Sequence, residues 1–153
     1  MMELLQKMLM MRQFTFGAGE AKILGQRIVL APVDVVAPIT EAAIENSEIR
    51  KKLYEHIRTK FNERWADGVK KMYGFKAQDY FKFLIDLSKL GGWGEGTLIE
   101  FNPQTFEGKF VNSNSPMGTY FKGRAKEPVD HSWRGIAAGG LSKAFGKDID
   151  WVE

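Results

Sequence analysis

The clearest hydrophobic pattern in the chain is a stripe of apolar side chains that recurs every three or four residues after Ser47. This spacing places the apolar side chains on one face of an α-helix whose other face is charged. Ser47 is predicted as the N-cap, and the helix is predicted to run for about 25 residues, as far as Tyr73. The stripe consists of Ile49, Leu53, Ile57, Phe61, Trp65, Val69 and Met72.

Three further helices are predicted. Residues 77–90 contain so few polar positions that this helix should be buried on several sides or line a cavity. The last helix is predicted over 132–145, with Gly146 ending it and the Asp130 carboxylate capping its positive end. A short helix is predicted to begin near Pro38, whose fixed φ suits a first helical position, and to run to about Asn46.

Short alternating runs predict β-strands on both sides of the helices. A hairpin is predicted where two such runs flank the Asn102-Pro103 loop. Because there is no regular βαβ alternation, we predict an α+β fold with an antiparallel sheet and a C-terminal hairpin, packed against several helices. The predicted strands are 13–17, 21–24, 27–32, 97–101, 106–114, 118–122 and 148–153.

Neither a repeat nor a low-complexity linker divides the chain, so one domain is predicted over residues 13–153. Residues 1–12 are predicted to form an N-terminal helix or arm. Five of the seven methionines fall within the first eleven residues, which suits packing against the body or against a second subunit.

Composition excludes several classes of function. The absence of cysteine rules out disulfides, thiolate catalysis and iron–sulfur clusters held by this chain, and favours a cytoplasmic location. The net charge of +3 is mild, and basic residues alternate with glutamates, so no nucleic-acid contact is predicted. No apolar stretch is long enough for a membrane span.

The sequence contains no catalytic signature. GWGEG (92–96) lies between a predicted helix and a predicted strand, the reverse of the order in a phosphate loop, so we interpret it as a chain reversal. His56 and His131 are interpreted as packed or partly exposed histidines rather than metal or haem ligands. Ser142 has no acid or base near it in the sequence. We therefore predict that the protein is not an enzyme.

Gly135 and Gly139 form a flat strip along the last helix. An interior glycine costs about 1 kcal/mol relative to alanine, so the strip should permit a close approach that offsets this cost. A sheet, a second helix or a ligand could approach there, and packing on the hairpin sheet is favoured.

These features together resemble the 4-vinyl reductase domain family. The matching stretches are GGWGEGTLIEF (91–101), FVNSNSPMG (110–118) and RGIAAGGLSKAFGKDIDWVE (134–153), in that order, and the likeness extends from about Phe14 onward. It implies an α+β ligand-binding fold, typically dimeric, with a mostly apolar cavity between helices and sheet. Members serve as sensory modules of aromatic-responsive regulators, occur as stand-alone archaeal proteins, and accompany bacteriochlorophyll biosynthesis.

The leading hypothesis is a homodimeric sensor or carrier that binds a small hydrophobic or aromatic ligand without catalysis. One alternative is a dimerisation or assembly scaffold with a filled core, as in the vesicle-tethering relatives that share the fold. Another is an accessory to tetrapyrrole vinyl reduction, although no dinucleotide fingerprint is present. The predicted pocket residues are Phe81, Leu84, Ile85, Trp93, Phe101, Phe110, Trp133, Gly135 and Gly139.

The resemblance also bears on metal binding. In zinc-holding members, a Cys precedes the glycine-bearing helix, a Glu begins the next strand, and two more Cys follow. Asp130 and Glu153 stand at the first two of these positions. Two carboxylates are a poor set for structural zinc, which takes four ligands, usually sulfur and nitrogen. No metal or other cofactor is therefore expected, unless a tail beyond Glu153 supplies further ligands; either the chain stops before that tail, or this member has lost it.

Overall fold

The computed structural model describes Gln6, Met10 and residues 13–66, 77–102 and 104–152. Gln6 and Met10 are helical, but the rest of the predicted N-terminal arm lies outside the described residues, as do residues 67–76, Pro103 and Glu153. The elements are β1 (Phe14–Gly17), β2 (Glu20–Ile23), β3 (Gln26–Ile28), α1 (Val33–Glu45), α2 (Ser47–Lys60), a π-helical segment (Phe61–Ala66), α3 (Ala77–Leu90), β4 (Glu95–Phe101), β5 (Gly108–Ser113), α4 (Pro116–Tyr120) and α5 (His131–Phe145).

The described strands form two antiparallel sheets, with the order β1-β2-β3 in one and β4-β5 in the other. In the first sheet Phe14 lies opposite Ile23, and in the hairpin Leu98 lies opposite Phe110. A register shift follows between Leu98 and Glu100. The predicted α+β class with antiparallel strands is confirmed, although the strands divide into two sheets.

Several predicted boundaries are wrong. α1 begins at Val33, directly after Pro32, and contains Pro38 in its interior rather than at its start. β3 ends at Ile28, four residues before the predicted end. Residues 118–122 form no strand, because the Ser115 hydroxyl caps the short helix α4 by accepting from the Gly118 amide at 3.1 Å. Residues 148–152 form no regular secondary structure and pair with no described strand, so the predicted final strand is wrong over these residues.

The N-cap of α2 is Asn46, not the predicted Ser47. The Asn46 Oδ1 atom accepts hydrogen bonds from the amides of Glu48 at 2.9 Å and Ile49 at 3.2 Å. Two of the amides that lack an intrahelical partner at the helix start are thereby satisfied.

Asn46→Ala is expected to lower the free energy of unfolding by about 1 kcal/mol, because it removes this cap. Ser47→Ala is the matched control and should change stability by less than about 0.5 kcal/mol, since Ser47 is an exposed residue already inside the helix. Denaturant unfolding monitored by circular dichroism measures both. A larger loss for Ser47→Ala would restore the sequence-based prediction.

The glycine strip of α5 packs against α2 rather than against the hairpin sheet. A Cβ added to Gly135 would lie 3.0 Å from both the Ile57 side chain and the Tyr54 carbonyl oxygen. A Cβ added to Gly139 would lie closer than 3.0 Å to the Arg58 carbonyl oxygen. The two helices therefore approach at backbone contact, and this approach lies where α2 passes into the π-helical segment at Phe61.

The rest of the described core includes two buried clusters. Leu24, Tyr80, Phe83 and Leu84 form one buried cluster, which joins the first sheet to α3. A second cluster, Ala37, Met117 and Phe121, joins α1 to α4. α5 ends as predicted at Gly146, which adopts the left-handed conformation with φ 65°. None of the helices in the described ranges is both long and apolar enough to span a membrane.

Candidate functional site

A cavity of about 570 Å³ lies between α3, the β4–β5 hairpin, the second half of α5 and the chain that follows α5. Eleven of its fifteen lining residues carry apolar or aromatic side chains, so the interior favours an apolar occupant. The lining consists of Phe81, Lys82, Ile85, Leu98, Phe101, Phe106, Gly108, Lys109, Phe110, Leu141, Phe145, Ile149, Asp150, Trp151 and Val152.

Aromatic rings form two groups around this cavity. Phe145 contacts Phe101 and Phe106, with ring centroids 5.6 and 5.1 Å apart. Phe110 contacts Phe81 at 6.1 Å and Trp151 at 5.3 Å. Three of these four pairs are edge-to-face, the arrangement that the ring quadrupole favours. The rings are therefore held by one another as well as by their own elements.

Phe110 has a further constraint, from the strand beside it. A Cβ added to Gly96 would lie within 3.0 Å of the Phe110 ring, so the ring occupies the space that a side chain on β4 would need. Glycine in the GWGEG stretch thus serves ring packing at the cavity. The turn between α3 and β4 lies at residues 91–93, and Glu95 and Gly96 of this stretch already belong to β4.

Residues 148–152, which we call the C-terminal wall, are fixed to α5 by hydrogen bonds. The Ile149 amide donates to Ser142 Oγ at 3.0 Å, and this hydroxyl lies 3.3 Å from the Ile149 carbonyl oxygen, to which it donates. Arg134 Nε donates to the Trp151 carbonyl oxygen at 2.9 Å. Ser142 and Arg134 therefore satisfy backbone groups that a neighbouring strand would satisfy in a sheet.

The C-terminal wall is also fixed to α2. Asp148 forms an ion pair with Arg58, and the Tyr54 hydroxyl donates to Asp150 Oδ1. The Trp151 amide lies within hydrogen-bonding distance of both Asp150 Oδ1, at 2.8 Å, and the Tyr54 hydroxyl, at 3.2 Å. Contacts on two helices thus position this side of the cavity.

The charges at this corner reinforce the arrangement. The hydrogen bond from Tyr54 lowers the pKa of Asp150, so Asp150 is ionised at neutral pH. Burial, and then the hydrogen bond to Asp150, raise the pKa of Tyr54, which keeps its proton as a donor. The Arg134 guanidinium lies 4.7 Å from the centroid of the Tyr54 ring.

Four of the predicted pocket residues, Phe81, Ile85, Phe101 and Phe110, line the cavity. Five others do not. Leu84 lies in the buried cluster with Leu24, and Trp93 is half-buried where the chain enters the hairpin. Trp133 is buried behind Phe110, with ring centroids 6.2 Å apart, and Gly135 and Gly139 face α2.

Sequence reasoning missed the C-terminal wall and the far end of the hairpin. Leu98, Phe106, Leu141, Phe145, Ile149, Trp151 and Val152 also line the cavity. The signal that could have found them was the concentration of phenylalanines in the hairpin and the apolar residues Ile149, Trp151 and Val152 after Gly146. The alternation of polar and apolar residues in 148–152 predicts a strand, and a strand prediction gives no indication of a cavity wall.

The start of α5 differs from its predicted chemistry. Asp130 occupies the N-cap position but makes no side-chain cap; its Oδ1 accepts from Ser115 Oγ at 2.6 Å. Burial raises the pKa of Asp130. His131 is buried, with 1% of its surface exposed, whereas His56 is exposed. Within the described ranges no three His, Asp or Glu side chains are grouped to hold a metal ion. Glu153 lies outside those ranges, so the expectation of no zinc there stays a prediction.

No protein-family model and no curated protein matches the chain. Among solved structures, it is similar to the phenol-responsive sensory domain of the transcription activator PoxR with phenol, with a TM-score of 0.73. The likeness covers 97% of this chain and 79% of that domain at 18% identity. At this identity it shows that the two share a fold. Membership of the 4-vinyl reductase family stays a prediction.

Proposed function

We propose that this protein binds a small hydrophobic or aromatic molecule in the cavity and acts as a sensor or carrier domain of the 4-vinyl reductase type. The observation that carries the proposal is the cavity itself, about 570 Å³ with a mainly apolar lining. Burial of an apolar ligand there is favourable by roughly 25 cal/mol for each Å² of apolar surface removed from water. The shared fold with a phenol-responsive sensory domain supports the same class of ligand.

The volume constrains the size of the ligand. An apolar cavity of roughly 150 Å³ accommodates benzene, and drug-sized ligands occupy about 300–1,000 Å³. A cavity of about 570 Å³ therefore suits a ligand larger than one aromatic ring, such as a fused bicyclic or a medium-length alkyl chain.

A binding role is favoured over a catalytic one because the lining offers few groups for proton transfer. Among the lining residues that the structure describes, only Lys82, Lys109 and Asp150 are ionisable. Asp150 is engaged by Tyr54 and Trp151, so its carboxylate is committed to structure. The described lining residues therefore provide no acid–base pair for the apolar interior.

Occupancy could be reported through the C-terminal wall. Ile149, Trp151 and Val152 line the cavity, and the same segment is bonded to α5 and α2. A ligand that contacts these side chains stabilises the state in which the C-terminal wall is attached to α5 and α2, relative to a state in which it is detached. A sensor requires such a difference in ligand affinity between two states.

We include a homodimer in the proposal. Val29 and Leu30, after β3, are 85% and 73% exposed, and Val35 and Ile39 on α1 are 63% and 54% exposed. Val35 and Ile39 lie four residues apart on one face of α1, and exposed apolar side chains that share a helix face suit an association surface. The same surface would also serve the alternative role of an assembly scaffold.

Native mass spectrometry of the purified protein tests the proposal, first alone and then with 2-naphthylmethanol or 1-decanol. We expect the mass of a dimer and one stoichiometric adduct per chain. Leu98→Trp should lower probe affinity about tenfold or more, because Leu98 lines the cavity from a position that is 38% exposed and an indole there would occupy space that the probe needs.

Ile99→Trp is the matched control. Ile99 neighbours Leu98 on β4, is 52% exposed and does not line the cavity, so this variant should bind as the parent does. Failure of all probes to bind, together with a clean dimer mass, would contradict the ligand-binding proposal and favour the scaffold. A monomer with adduct would contradict only the dimer.

A further inference from the structure

The cavity is apolar inside but bordered by positive charge. Lys82 on α3 and Lys109 on β5 are both exposed lining residues. Lys147 Nζ lies 3.9 Å from the centroid of the Phe106 ring, and Phe106 also lines the cavity. None of these three lysines forms an ion pair with a residue in the described part of the chain, whereas Lys52, Lys60 and Lys89 elsewhere do.

The one carboxylate among the described lining residues does not offset this charge. Asp150 already accepts hydrogen bonds from Tyr54 and Trp151, and the Arg58 and Arg134 guanidinium groups lie close enough to favour its ionised form. Asp148, next to the cavity, is paired with Arg58. Among the described lining residues two lysines therefore stand against one carboxylate, so the lining carries a net positive charge that favours an anionic group at the opening.

We propose that the ligand is an amphipathic carboxylate, an aromatic or aliphatic acid whose apolar body lies among the cavity rings and whose carboxylate meets Lys82 and Lys109. The inference rests on the proposed binding function and names its ligand class. Lysine suits this position because its stem can pack along the apolar rim while the ammonium group stays in water. No arginine is found among the lining residues in the described ranges, so they lack the bidentate geometry typical of phosphate recognition.

The energetic consequence is modest and measurable. Because the lysines are exposed, the carboxylate need not be fully desolvated, and each ion pair should strengthen binding about twofold to fivefold at low ionic strength. Two lysines together predict about a tenfold advantage for an acid over the matched neutral alcohol. In about 1 M salt, where the screening length is about 3 Å, most of this advantage should disappear.

Isothermal titration calorimetry of the full chain with two matched pairs tests the inference: 2-naphthoate against 2-naphthylmethanol, and decanoate against 1-decanol. We expect the acid of each pair to bind about tenfold more tightly. Lys82→Gln/Lys109→Gln should remove this difference and leave the affinity for the alcohols unchanged. Lys122→Gln/Lys126→Gln is the control of equal charge, since both residues are exposed and lie away from the cavity lining.

The outcomes separate the inference from the proposed function. Equal affinity for acid and alcohol would overturn the inference that the ligand is a carboxylate, but not the proposal that the cavity binds apolar ligands. An advantage for the acid that survives Lys82→Gln/Lys109→Gln, or that the control variant also loses, would overturn the assignment of these lysines. Absence of binding by all four probes would overturn the proposed function itself.

Discussion

Gly139→Ala should lower the free energy of unfolding by about 3 kcal/mol, which for a chain of this size corresponds to roughly 6–12 °C in Tm. The added Cβ would lie closer than 3.0 Å to the Arg58 carbonyl oxygen and 3.2 Å from the Asn62 amide nitrogen. These are backbone atoms of α2 and the π-helical segment, so relief requires the two helices to separate. The gain of about 1 kcal/mol in helix propensity is smaller than this cost.

Two further glycine variants serve as controls. Gly140→Ala should be milder, because its Cβ would meet Leu84 Cδ1 at 2.6 Å, the end of a flexible side chain. Gly118→Ala should change stability by less than about 0.5 kcal/mol, since its nearest neighbours lie at an ordinary 3.4 Å. Urea unfolding measures all three. Equal stability of Gly139→Ala and Gly118→Ala would contradict the close approach of α5 to α2.

Acidification from pH 6.5 to about 4 should remove up to about 3 kcal/mol of stability through His131. Burial, with Arg134 and Arg50 nearby, lowers the pKa of His131 from 6.5 to about 4, while the Pro128 carbonyl acts in the opposite direction. Between these two pH values the unfolded chain binds a proton at His131 that the folded chain does not. Stability from this residue is therefore complete above pH 6.5 and is lost as pH falls.

The neighbouring carboxyl group contributes with the opposite sign. Burial raises the pKa of Asp130, so its contribution favours the folded state at acid pH and is lost as pH rises. The contribution of His131 to the pH dependence of the free energy of unfolding is isolated by comparing the parent with His131→Phe. Urea unfolding from pH 7 to about 4 measures it. We expect the variant to lose most of the acid dependence and the exposed-site control His56→Gln to keep it. An unchanged slope in His131→Phe would contradict the prediction.

Elements with a strong local signal could be predicted from the sequence. The apolar run in 77–90 gave α3, and Gly146 marked the end of α5. Elements that depend on distant partners could not. Residues 148–152 alternate like a strand, but their backbone groups bond to Ser142 and Arg134, which nothing in the local pattern reveals. The short helix α4 depends on one serine cap that precedes a proline.

The candidate site was predictable to the extent that apolar residues in the right elements were identified. Phe81, Leu84 and Ile85 all belong to the apolar surface of α3, yet Leu84 lies in the core and the other two line the cavity. The side chains of successive helical residues project about 100° apart around the helix axis. Whether a side chain meets the packed core or the cavity depends on where the neighbouring elements lie. Core and cavity therefore share one sequence signal.

The C-terminal wall has a mechanical consequence. One side of the cavity is a single segment, residues 148–152, attached by side chains of α2 and α5. Tension on this segment and ligand binding in the cavity both shift the equilibrium between its attached and detached positions. By thermodynamic reciprocity, tension that weakens the attachment must lower ligand affinity by the factor by which the ligand strengthens the attachment. Ligand affinity would then depend on force and would fall as tension on residues 148–152 increases.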